Sequence, residues 1–154
     1  MQMDPHIKKG IKLDKESAIK QFNDESLTCL IYNDDTIYTS KDRGLKPLIY
    51  VVENKVDLCG YNAIDKIVGN AAAIIYVKIG VKSVHTPVLS KSAFETFKKY
   101  NIEVTYDELV DCILNKEKTN PGPFEALIAN AKTLDEAYTL IVNKTRELAK
   151  QNNK

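Results

Sequence analysis

At 154 residues, with 44% hydrophobic and 28% charged side chains, the chain has the size and composition of one globular domain that can bury a core without disulfides or a structural metal. A net charge of +1 leaves no global field to hold nucleic acid or an acidic membrane surface, so neither is expected as a partner. Cys29, Cys59 and Cys112 are widely spaced and odd in number, with no redox or zinc-ribbon spacing, which predicts reduced thiols and a cytoplasmic location. The start lacks the apolar core of a signal peptide, and the longest apolar run, Ala71 to Val77, is too short to span a bilayer.

In chain order, residues 1–12 read as a disordered or tag-like start and 13–149 as one α/β domain. A helix is expected from Asp14 to Asn23, with Leu13, Ile19 and Phe22 roughly on one side. Leu27–Tyr32 and Ile37–Ser40 read as strands, and the Asn33-Asp34-Asp35 between them is turn chemistry, which makes a hairpin. Gly44 to Pro47 opens a helix on which Leu45, Leu48, Ile49 and Val52 recur at helical spacing.

A strand follows from Leu58 to about Lys66, then a helix from Gly69 to Ile79, stopped by Gly80. That helix is apolar nearly all round, which belongs in a core. Ser83 to Leu89 reads as a strand, and Ser92-Ala-Phe-Glu95 as the capping box of the next helix. Ile102–Thr105 is a short strand, and Thr105-Tyr-Asp-Glu108 reads as the cap of a brief helix ending near Leu114. Asn115 to Pro123 is loop. A helix from Phe124 to Ala131 precedes a last one opened by the capping box Thr133-Leu-Asp-Glu136, with a polar tail from Lys150. Strands alternating with helices after a hairpin imply a mixed sheet of about five strands in a three-layer α/β/α arrangement.

That order, with a buried helix opening just after the third strand, resembles the cytidine-deaminase-like fold. The phrases "KDRGLKPL" (Lys41 to Leu48), "AIDKIVGNAAA" (Ala63 to Ala73), "KYNIEVTYDELVDCILN" (Lys99 to Asn115) and "GPFEAL" (Gly122 to Leu127) are similar to the domain of unknown function 1893 family, from about Ser26 to Leu148. The resemblance implies a fold and no assigned activity. Zinc deaminases carry a His or Cys ligand and a Glu where the buried helix begins, and a C-x-x-C pair at the next helix. Here those positions read Ile67 to Ala73 and Val88 to Ala93, without Cys, His or Glu. No metal and no cofactor are therefore expected, and zinc-dependent deamination is not. Many members of that family carry a cysteine in the phrase that reads "GPFE" here; Gly122 in its place argues against thiol chemistry.

The candidate ligand-binding residues are Asp65, Lys66, Gly69, Asn70 and Glu125. Asp65 and Lys66 end a strand, and Gly69 and Asn70 open a helix, where free backbone N–H groups can meet an anion with Lys66 adding charge. Open α/β sheets favour ligands at the carboxyl ends of their strands. A solvated strand end with a surface ion pair explains the same residues plainly. Glu125 after Pro123 is explained by helix capping, with reach toward the same cleft as its functional version. His85 mid-strand reads as a core or edge residue, Cys29 and Cys59 as small buried hydrophobes, and Arg43 as a loop ion pair.

The expected function is metal-free binding of a small polar or nucleotide-like ligand at the head of the buried helix. Two other classes compete. One is a pseudoenzyme acting through protein contacts, homo-oligomer formation included. The other is a metal-independent enzyme with Asp65 or Glu125 as base and Lys66 as electrophile.

Overall fold

The computed structural model describes residues 6–10, 12–42, 44–113 and 124–152, with Glu125, Gln151 and Asn152 described by backbone alone. Strands β2 (Cys29–Tyr32) and β3 (Thr36–Ser40) form the expected hairpin. Its turn is held by Asn33, whose Oδ1 accepts from the backbone N–H groups of Asp35 at 3.0 Å and Thr36 at 2.8 Å. This is an asparagine side chain standing in for a backbone turn. Within the segment read as a tag-like start, Ile7–Lys9 form β1, antiparallel to β3; one isoleucine followed by two lysines leaves no periodicity from which to read a strand.

On the other edge of the hairpin, β2 pairs antiparallel with β4 (Asn62–Asp65), which runs parallel to β6 (Ser83–Ser90). A short β5 (Ile67–Val68) also pairs with β6, and β7 (Glu103–Val110) runs parallel along β6. Because β7 occupies one edge of β6, β4 and β5 share the other. They are one strand bent at Lys66, level with Pro87, which has no N–H to give to a ladder. The sheet is mixed and holds seven strands among the described residues, more than the five or so expected. The brief helix expected after Thr105 is not formed among the described residues: residues 105–110 continue β7, and Leu114, its expected end, lies outside them. Their Thr-x-x-Glu wording fits a cap, but pairing along the whole of β6 decides the conformation.

Helices α1 (Lys15–Asp24), α2 (Lys46–Glu53), α3 (Asn70–Ile79), α4 (Lys91–Lys99), α5 (Glu125–Ala129) and α6 (Leu134–Asn152) complete the chain. Asp14 caps α1, accepting from Ser17 N–H at 2.7 Å. Ser90, where β6 ends, caps α4 by accepting from Ala93 N–H at 3.1 Å. The cap therefore lies two residues before the Ser92 read from sequence, because the strand hands directly to the helix. Thr133 Oγ1 accepts from Glu136 N–H at 3.1 Å and begins α6 as expected.

Alternate residues of the hairpin serve two clusters. Leu30, Tyr32, Ile37 and Ile64 pack with Ala18 and Phe22 of α1. Cys29, Ile31, Tyr38 and Ala63 pack with α3 and its neighbours, and α2, α4, α5 and α6 all touch α3. Residues Ala71 to Tyr76 are every one buried, so α3 has no polar face to offer solvent over that stretch. Gly80 ends it in the left-handed region, φ +88°, the usual glycine stop. No helix among the described residues is long and apolar enough to cross a membrane.

Candidate functional site at the head of the buried helix

The register of β2 and β4 sets Cys29 directly opposite Asp65. Both lie on the side of the sheet covered by α3, and Tyr76 of α3, fully buried, comes down between them. Its hydroxyl donates to Asp65 Oδ2 at 2.6 Å and lies 3.6 Å from Cys29 Sγ. Ile67 N–H reaches Asp65 Oδ1 only at 3.5 Å. Burial pushes the Asp65 carboxyl up to about 6, the Tyr76 hydrogen bond pulling the other way. Burial first, and then the Asp65 charge, hold the Cys29 thiol far above its ordinary range. The Tyr76 phenol is likewise raised well above its own. Chemically, this is a carboxyl that exchanges its proton near neutrality beside a thiol that stays protonated. Cys29 is no thiolate nucleophile.

The head of α3 lies beyond Asp65 along the chain. Gly69 caps it in extended backbone, φ −97°, which any residue adopts, so backbone freedom is not why glycine stands there. A Cβ on Gly69 would meet Ile113 Cγ1 at 3.1 Å: the side chain following β7 closes over the cap. Asn70 Oδ1 accepts from Thr96 Oγ1 of α4 at 2.5 Å, tying the two helices together. Ser90 and Ser92 hydroxyls face each other at 3.2 Å at the head of α4.

Of the residues singled out in the sequence, Gly69 and Asn70 meet at this mouth. Asp65 lies under α3 instead, engaged with Tyr76. Lys66 is exposed, and it is its backbone, not its ammonium, that hydrogen-bonds the Asp65 carboxyl. Glu125 is the first residue of α5, and its side chain, like Arg43 and Gly122, lies outside the described residues. Among the described residues no three His, Cys, Asp or Glu groups converge on a metal site. Tyr76, Thr96 and Ile113 were missed from sequence. Only the strand register and the helix packing bring them here.

The family described as a domain of unknown function (DUF1893) matches residues 17–145. The chain belongs to the DUF1893 family. The DUF1893 domain is also similar to a crystal structure, at 2.70 Å resolution, of a DUF1893 family protein (TM1506) from Thermotoga maritima. The two are 32% identical over 88% of this chain and 94% of that one, with a TM-score of 0.77. No curated protein matches. Two sequence phrases of this DUF1893 domain that lie far apart also converge. Asp42, Gly44, Leu45 and Lys46 line a cleft of about 450 Å³ with Phe124 and the end of α6.

Proposed function

We propose that this domain is a metal-free, deaminase-like binding domain in a three-layer α/β/α arrangement. Its ligand is a small polar or nucleotide-like molecule at the head of α3, with Asp65, Lys66, Gly69, Asn70 and Glu125 as the ligand-binding set. The observation that supports this reading is the Asp65 carboxyl. It stands at the carboxyl end of β4, where ligands of open α/β sheets collect. Burial moves its acid range to about 6, and perturbed acids of this kind cluster at functional sites. In this reading Ile113 is the apolar wall against which the ligand packs, Lys66 supplies charge at the rim, and Asp65 answers the ligand through its proton.

A thermal-shift series with nucleosides, nucleoside monophosphates and inorganic phosphate tests it, since anything that binds the native state alone raises Tm by mass action. At least one should stabilise the wild type, with the shift reduced in Lys66→Ala and in Asp65→Asn. No stabilisation by any of them, or equal shifts in both variants, overturns the assignment. Elemental analysis of the purified protein should find no stoichiometric zinc. A tightly held ion in each chain overturns the metal-free part.

A further inference from the structure

On the α1 face of the sheet, polar side chains gather where α1 does not reach. Helix α1 packs against β2 and β4, and between it and the first residues of β4, β6 and β7 lies a cleft of about 300 Å³. Tyr32, Asn62 and Ser83 are neighbours across three adjacent strands, and His85 and Thr105 form the next row. Ser83 Oγ donates to Asn62 Oδ1 at 2.7 Å, which occupies the amide oxygen and leaves the amide N–H pair to the cleft. Thr105 Oγ1 accepts from Lys15 Nζ at 3.0 Å and lies 2.7 Å from His85 Nδ1, so the lysine is anchored at the cleft by a side chain on β7.

Tyr32 is the telling residue. It is 6% exposed, its ring packed with the α1 cluster, yet its hydroxyl has no hydrogen-bond partner among the described residues. The hydroxyl itself is not sealed off: it opens into the cleft that Tyr32 lines, where it can donate to a bound molecule. The remaining lining charges are mixed in sign, Lys15 and Lys82 against Asp14 and Glu103. Donors thus stand on the cleft floor, cations and carboxylates at its rim, and the volume is at the small end for ligand pockets.

We propose that this cleft binds a small zwitterion of the α-amino-acid class. Its carboxylate accepts from the Tyr32 hydroxyl, the Asn62 amide and Lys15, and its ammonium faces Asp14 and Glu103. The site lies on the opposite face of the sheet from α3 and is independent of the reading given for Asp65.

The test is thermal shift followed by calorimetric titration of the full chain. The probes are the proteinogenic L-α-amino acids, each at about 10 mM, beside the N-acetyl and the amide derivatives of whichever responds. At least one free amino acid should raise Tm by several degrees while its two blocked forms do not. Tyr32→Phe and Lys15→Met should each weaken that binding by about tenfold, the loss of one hydrogen bond to a charged group. The unliganded Tm of each variant separates lost binding from lost folding. Lys98→Ala, on the exposed surface of α4 and away from both clefts, should respond as wild type. If no amino acid stabilises, if a blocked form does as well as its parent, or if both cleft variants bind undiminished, the proposal fails.

Discussion

Replacing Asp65 with asparagine perturbs one atom of the buried cluster and leaves its shape. The carboxyl sits between sheet and α3, hydrogen-bonded by Tyr76 at 2.6 Å, and burial raises it from 3.8 to about 6. Between those values the native state keeps a proton that the unfolded chain has released. Stability from this group is therefore full below the lower value and is lost as pH rises through the upper one. At about 1.4 kcal/mol for each pH unit, the loss amounts to roughly 3 kcal/mol at neutral pH. Asp65→Asn keeps a carbonyl acceptor for Tyr76 but has no proton to lose. It should equal wild type near pH 4 and exceed it by about 2–3 kcal/mol near pH 7.5, or roughly 4–12 °C in Tm for a chain of this size. Urea denaturation of both proteins at the two pH values measures it, because all other titrating groups are shared. Parallel pH profiles, or a variant weaker at both pH values, would refute the placement of a half-buried carboxyl, hydrogen-bonded by Tyr76, under α3.

Tyr76→Phe removes the donor to Asp65 and should cost about 1–3 kcal/mol at neutral pH and less near pH 4; an equal loss at both pH values would assign the hydroxyl to packing alone. Gly69→Val drives a side chain into Ile113 and should destabilise by about 1–3 kcal/mol, in part recovered by Ile113→Ala in the same chain. Failure of that double variant to recover anything would place the strain elsewhere. A thiol reagent should modify the exposed Cys59 in the native protein and spare the buried Cys29 until unfolding, followed by peptide mass spectrometry. Labelling of Cys29 at the rate of Cys59 would contradict its burial.

What was legible in the sequence was local. The run from Ala71 to Val77, with glycines at both ends, could hardly be anything but a buried helix, and Asn33 announced its hairpin turn. The misreadings came where pairing outweighs local preference. Thr105 and Glu108 have the spacing of a cap, yet Val104, Thr105 and Tyr106 suit a strand, and a partner on β6 settled the contest. Ile7, followed by two lysines, carries no pattern until β3 is beside it. The candidate site was half legible: Gly69 and Asn70 do open α3. No spacing announced that Asp65 would lie beneath the helix with Tyr76 and Cys29, since that set is assembled by the β2–β4 register. His85 read as an ordinary mid-strand residue because Lys15 and Thr105, which give it company, come from distant parts of the chain.

The bend that divides β4 from β5 leaves β6 bordered along both edges, by β4 and β5 on one side and β7 on the other, so the sheet is not uniform in how it opens. Amides of β6 that bond into either neighbour, and those of α3 beneath four packed helices, can exchange with deuterium only when the domain as a whole comes apart. Strand β7, bordered on one edge among the described residues, can peel away with its outward amides while the rest stays closed. Hydrogen exchange should therefore divide this sheet into a slow centre at β6 and a faster flank along the outward edge of β7.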